Sequence, residues 1–406
     1  MNLLRYWTWL VSCLVVVGIA PSTFASAHNF AENPRRDRCL QAPSAQLEDR
    51  QDACQSLSGE AVTQPARPQL EAAPLLLAAP ENLNPGLYEP PVAPPVESPA
   101  ETPKEPDEAI SADTPDAAPW LDITALTVDF KDDTSSFDQD NRLLEPVIYG
   151  RLRNGDQVRF GTGLNQFRQP NITPVTNIPL RLGWQRQMGE VALDVEANLE
   201  LFDRLPAAAG FEVNASVPLG DRAQLSFNTA YGPYKFNATT LENQITAWRY
   251  GPQLFWQIDR QTSFFSSVQW GRYSDGNREQ QSFSRLERRW GDFSIAANLF
   301  NWRYQEDVEA VSGYFSPVDF LVFNGEIAWQ KEMFDFLRCR LAGTLGQQRS
   351  QGTWTNAYSY QSSCTVLLSE TLELDINYLF NNVRSQSSAG SDSSNQVISS
   401  QLRVRF

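Results

Sequence analysis

Asp194 and Glu196 are the residues best placed to do chemistry. On a strand, positions i and i+2 share a face, and a pair of carboxylates is the equipment of glycoside hydrolysis. The same face continues to Glu200. Acids repeated along one face of a strand are more simply the lining of a water-filled interior. His28 is the only histidine. A Ser-His-Asp triad, a Cys-His dyad and a His-ligated zinc site are therefore all excluded after that position. No catalytic residue, metal or cofactor is assigned, and the chain is read as a non-enzyme.

The cysteines offer a second kind of chemistry. Apart from Cys13, in the first apolar stretch, they form two sequence-local pairs, Cys39 with Cys54 and Cys339 with Cys364. An even set outside a removed leader suits disulfides in an oxidising compartment. A hairpin tip between Gln351 and Gly352 would set Cys339 opposite Cys364, on the face of Leu337, Leu341, Val366 and Leu368. A cross-strand disulfide is expected there.

The elements that position these residues follow from pattern. Arg5, the apolar run Trp7 to Ile19 and Ala25-Ser26-Ala27 read as a signal peptide over 1–27. Residues 28–64 are a small polar segment that the first cysteine pair would close. Residues 65–119 are an acidic linker whose prolines, dense between Pro85 and Pro99, preclude helix and sheet. This N-terminal extension is expected to be disordered. The net charge is −15; residues 1–119 hold 7 basic and 16 acidic residues and contribute −9 of it. Such an acid excess argues against nucleic acid as a partner.

From Trp120 the apolar period becomes two. Val191, Leu193, Val195, Ala197, Leu199 and Leu201 alternate with Ala192, Asp194, Glu196, Asn198 and Glu200. Leu372, Leu374, Ile376, Tyr378 and Phe380 alternate with Glu373, Asp375, Asn377, Leu379 and Asn381. Runs of this kind read as strands with one apolar and one wet face. About 16 occur, from 121–130, 146–154, 156–168 and 178–188 through to 394–406. Many reach the roughly 9–11 residues that a tilted strand needs to cross a bilayer. Tight connectors such as 153–156 and 218–221 alternate with long ones such as 304–316 and 384–395. No helix-length apolar run follows residue 20. The fold class is therefore all-β, an antiparallel up-and-down transmembrane β-barrel over residues 120–406. Trp184, Trp248, Tyr250, Trp256, Trp270, Tyr273, Trp290, Trp302, Tyr304, Trp329, Trp354 and Tyr378 are expected at the membrane boundaries.

The last strand carries the membrane reading furthest. Leu402, Val404 and Phe406 point one way, Arg403 and Arg405 the other. The pattern resembles the C-terminal recognition signal of bacterial outer-membrane proteins. That resemblance implies location in a Gram-negative outer membrane, with the extension in the periplasm, lipid and the barrel-assembly machinery as partners, and lipid contact for those three apolar residues. On the wet faces, Arg151, Arg153, Arg159, Arg181, Arg338, Arg340, Arg403 and Arg405 are expected to line the lumen as a basic wall. Asp194, Glu196, Glu200, Glu326, Glu373 and Asp375 would form an acidic patch facing it. Opposed patches of this kind would set a field across the pore.

Gly313-Tyr314-Phe315-Ser316-Pro317-Val318-Asp319-Phe320-Leu321 resembles the Gly-Tyr-Tyr-Ser-Pro-x-x-Tyr-Leu segment of the outer-membrane subunit of bacterial cellulose synthase. That family exports a polysaccharide through a sixteen-stranded barrel preceded by long arrays of tetratricopeptide helices. At about 34 residues per repeat, residues 28–119 have room for no more than two. This departure from the family argues against docking on a synthase and for a barrel that stands without the array. The expected function is an outer-membrane channel for hydrophilic solutes, with saccharide or polysaccharide export as its specific form. The alternative is a non-conducting structural protein, tethered to cell wall or a periplasmic partner through its extension.

Overall fold

The computed structural model describes residues 119–136, 138–383 and 393–406. The expectations for the signal peptide, the polar segment, Cys39 and Cys54, and nearly all of the linker lie outside the described residues.

The described chain is one closed antiparallel barrel. In order, its strands are β1 (Leu121–Ser135), β2 (Asp140–Leu152), β3 (Gln157–Thr162), β4 (Leu164–Gln169), β5 (Ile172–Met188), β6 (Val191–Phe202), β7 (Ala208–Pro218), β8 (Ala223–Pro233) and β9 (Thr246–Gln257). Then follow β10 (Thr262–Tyr273), β11 (Arg278–Trp290), β12 (Phe293–Tyr304), β13 (Phe320–Phe334), β14 (Leu337–Ser350), β15 (Thr353–Leu367), β16 (Leu372–Asn381) and β17 (Asn395–Arg405). Each pairs with its sequence neighbour except β3 and β4, which both lie between β2 and β5, and β17 closes on β1 with Leu402 opposite Val128 and Val404 opposite Leu126. Closure leaves no strand edge unpaired, which a spanning sheet requires because hydrocarbon offers no hydrogen bonds.

Strands β3 and β4 are halves of one stave, so the wall has sixteen staves. The break falls at Gly163, where a Cβ would lie 2.4 Å from the Leu144 carbonyl oxygen. Only glycine allows the backbone of β2 so close.

Several staves outrun their apolar signal. β1 continues through Lys131-Asp132-Asp133-Thr134 to Ser135, β2 starts at Asp140 and β5 at Ile172. Thr134 pairs with Asp140, so the ladder persists where side chains are polar on both faces. An apolar period reports the lipid-facing band; hydrogen bonding carries the sheet past it.

Outward side chains are large and apolar. Leu345, Ile327 and Leu182 are 72%, 66% and 62% exposed and sit at mid-stave. A surface of this extent is untenable in water and suited to lipid. Trp184, Trp248, Tyr250, Trp256, Trp270, Trp290, Trp329, Trp354 and Tyr378 share the outward phase. Tyr273, Trp302 and Tyr304 do not, which corrects their boundary assignment. They point inward and are buried, at 6%, 4% and 2% exposure. On β12 the apolar phase switches after Leu299: Ile295, Ala297 and Leu299 face out, while Phe300, Trp302 and Tyr304 face in.

Cys339 and Cys364 are directly paired across β14 and β15 and joined by a disulfide, with Cα atoms 4.1 Å apart. Both are on the outward phase, near the rim that carries Phe406. Phe406 donates its backbone N–H to the Thr124 carbonyl, 3.1 Å away, which ties the last residue to β1.

Candidate functional site: an occluded lumen

Inward-facing positions of the first staves are strongly charged because the polar half of each alternating strand must point away from lipid. Arg159 of β3 forks onto Asp194, both oxygens at 2.9 Å, and its Nε donates to Glu196 at 2.9 Å. Arg181 of β5 meets Glu145 at 3.0 Å and Glu196 at 3.7 Å. Asp194 and Glu196 thus share one guanidinium and serve as its counter-ions. Across the barrel, Arg285 of β11 grips both Glu326 oxygens at 2.8 and 2.9 Å and also reaches Glu287 at 2.7 Å. Arg340 adds a 2.6 Å contact to Glu326. Arg403 and Arg405 both bind Glu373, at 3.3 and 3.1 Å, and Asp375 accepts from Thr365 at 2.6 Å.

These pairings correct the expected basic and acidic walls. Each of these guanidiniums is paired with a carboxylate on an adjoining stave or on the next but one, so the charges are not sorted into two facing walls. A charge-assisted bond about 3 Å long between nearby staves outweighs any attraction across a water-filled bore. Arg151 and Arg338 have the inward phase but are exposed at the Phe406 rim. Arg153 lies in the turn after β2 and is not part of the wall.

The opposite mouth is bridged. Two connectors fold into the bore: residues 234–245, containing the short helix α1 (Ala238–Glu242), and residues 305–319, containing α2 (Glu309–Ser312). Asn237 caps α1 by accepting from the Thr240 amide at 2.9 Å. The buried face of α1, Ala238 and Leu241, packs on Phe167 of β4 and Val175 of β5. Tyr234 and Phe236 pack the other way, onto Tyr273, Phe300, Trp302, Tyr304 and Phe320 of β10 to β13, together with Tyr314 and Phe315 of the second connector. The plug therefore bridges the third and fourth staves to the ninth through twelfth, nearly half the circumference away.

Packing and hydrogen bonds both hold it. Each large aromatic so buried contributes about 1.5–3 kcal/mol. Tyr273 stacks on Tyr314 at 5.0 Å, and Tyr234 meets Tyr314 edge-on at 5.3 Å. The two connectors clasp each other: Asn237 Nδ2 donates to the Gly313 carbonyl at 2.6 Å, and Asn243 Nδ2 to that of Val311 at 3.0 Å. Gly313 has φ 85°, and a Cβ there would meet Thr239 Cβ at 2.7 Å. Tyr314 and Ser312 donate to one Asp275 oxygen, at 2.9 and 2.7 Å. Gln169 Oε1 accepts from Thr239 Oγ1 at 2.9 Å. Lys235 is buried on Glu200 of β6 at 2.9 Å, and Asn177 of β5 donates to the other Glu200 oxygen. Burial pushes the Tyr234 phenol up to about 12 and drives that of Tyr314 well above its ordinary range.

The plug was not foreseen from the sequence, although two signals mark it. One is the phase switch on β12. The other is the aromatic content of the connectors, Tyr234, Phe236, Tyr314 and Phe315, where a solvated loop would be polar. The segment Gly313–Leu321, singled out by resemblance, supplies three fully buried rings, Tyr314, Phe315 and Phe320.

No family model matches the chain. No curated protein matches it either. Among solved structures, a bacterial polysaccharide outer membrane secretin superposes with a TM-score of 0.60 at 10% identity, over 70% of this chain and 99% of that one. CdiB from Acinetobacter baumannii gives 0.44 at 10% identity, over 71% and 60% of the two chains. OccK7 from Pseudomonas aeruginosa gives 0.39 at 10%, over 70% and 98%. The fold comparison rests on the first. The class so defined is the outer-membrane-type β-barrel, here of sixteen staves with two of its own connectors bridging the bore.

Proposed function

We propose that the chain is an outer-membrane conduit for hydrophilic solutes, closed at rest by its plug, with saccharide chains the favoured cargo. The observation that carries this reading is the plug itself. A barrel needed only as a membrane anchor has no use for a bridge of two interlocked connectors across a polar, charge-lined bore. Saccharide is favoured because a polysaccharide outer membrane secretin superposes over 99% of its length and because the Gly313–Leu321 segment, which resembles the cellulose exporters, helps build the plug. Short connectors lie on the Phe406 rim and long ones on the other, so the Phe406 rim faces the periplasm in this reading. The extension 28–119 then lies in the periplasm, and Leu402, Val404 and Phe406 present the strand that the assembly machinery reads. No catalytic step is assigned to the lumen.

Single-channel recording of the refolded full chain tests the proposal. The wild type should conduct weakly with rare large openings, and release of the plug should raise conductance severalfold. A second reading, a non-conducting protein tethered through its extension, is favoured by the tight pairing of lumen charges. It prevails if bilayers stay silent even after the plug is released.

A further inference from the structure

Three arginines form an outward cluster that neither the barrel nor the plug uses. Arg272 of β10 and Arg278 of β11 are direct cross-strand partners. Arg303 of β12 lies opposite Gln280 on the next stave. Alternation places all three on the outer face, at the end of the barrel away from Phe406, and all are exposed. Like charges directly opposite each other on a sheet destabilise it, so the arrangement needs a reason.

The neighbours sharpen the point. Other outward cations have acids beside them: Arg142 meets Asp132 at 3.1 Å, Arg349 meets Asp319 at 2.7 Å, and Lys331 meets Asp292 at 3.6 Å. Arg272, Arg278 and Arg303 have no acidic partner among the described residues. On a chain of net charge −15 this is a local reversal of sign. Directly toward the hydrocarbon sit Trp248, Tyr250 and Trp270, ring centroids 5.8 and 6.1 Å apart in sequence, and Trp248 is the cross-strand partner of Arg272. Aromatic rings of this kind mark headgroup depth. Below Arg303 the outer face stays polar, through Gln280, Ser282 and Asn301, where other staves are already apolar.

We infer that this patch binds the phosphorylated headgroup of an anionic lipid in the leaflet on that side. Guanidinium forks match phosphate oxygens in pairs. The aromatic row fixes the depth of the headgroup, and the polar notch gives its hydroxyls hydrogen-bond partners. The site rests on the membrane-spanning reading and is independent of what the lumen carries.

The test is native mass spectrometry of the refolded full chain in detergent with bis-phosphorylated lipid A, with phosphatidylcholine and inorganic phosphate as parallel probes. Wild type should retain lipid A in preference to phosphatidylcholine. The triple variant Arg272→Gln, Arg278→Gln, Arg303→Gln should lose retained lipid A by tenfold or more. Arg142→Gln should retain it, and replacing the three arginines by lysine, which keeps the charge but not the forks, should leave an intermediate amount. Retention by the triple glutamine variant, loss with lysine as deep as with glutamine, or equal occupancy by inorganic phosphate would each overturn the lipid site. Heat-modifiable gel mobility reports folding of every variant. Flotation with liposomes reports membrane insertion separately, so failure of the spanning reading is told apart from failure of the patch.

Discussion

Lys235 Nζ lies 2.9 Å from Glu200 Oε1, with 6% of the lysine and 1% of the glutamate exposed. The lysine belongs to the plug and the glutamate to the wall, so one buried ion pair joins a connector to the barrel. Such a pair adds little net stability over an apolar substitute, yet removing one partner leaves an uncompensated buried charge that costs about 3–5 kcal/mol. That asymmetry suits a latch.

Lys235→Met should therefore loosen the plug without dissolving the barrel. Hydrogen exchange across residues 234–245 should accelerate, and mean conductance should rise. The double variant Lys235→Met, Glu200→Leu should recover much of the protection because no lone charge remains. Protection unchanged in the single variant would refute the latch.

Alkaline pH should open the same plug. The Tyr234 phenol has a folded value of about 12 against an ordinary 10.0. A raised value means that the folded form holds its proton longer. Its stabilisation is complete below about pH 10 and is lost as pH climbs toward 12. Tyr314 is shifted in the same direction. Conductance should increase across that window, and Tyr234→Phe should flatten the response.

The Cys339–Cys364 bond closes a loop of sequence separation 25. Chain entropy allows it about 3.5 kcal/mol at most, and the β14–β15 ladder already fixes the hairpin. Cys339→Ala with Cys364→Ala should lower the heat-modification temperature modestly and leave the barrel intact. Peptide mapping of native protein should recover the two cysteines linked.

Depth on the outer face should set the cost of charge. Leu182→Arg, at mid-stave, should destabilise by about 2–4 kcal/mol, whereas Val191→Arg, at the Phe406 rim, should cost about 0–1 kcal/mol. Denaturant titration in lipid vesicles would separate the two. Equal costs would mean that the outer face does not meet hydrocarbon.

The sequence by itself determined the barrel. An apolar period of two, held through sixteen runs, assigns each strand a lipid side and a lumen side, and the hairpin tip at Gln351-Gly352 places Cys339 opposite Cys364. These are local properties: alternation and turn chemistry act within one strand or hairpin. What fills the lumen was decided only by the tertiary structure. Arg159 and Asp194, and Arg285 and Glu326, lie 35 and 41 residues apart, and each guanidinium reaches its acid across an intervening stave, a proximity that exists only once successive hairpins lie side by side. Trp302 and Tyr304 read as boundary aromatics until the connectors 234–245 and 305–319 turned inward and gave them an apolar interior. A strand pattern shows that one face avoids water or lipid; which of the two faces meets a plug depends on chain folded from elsewhere.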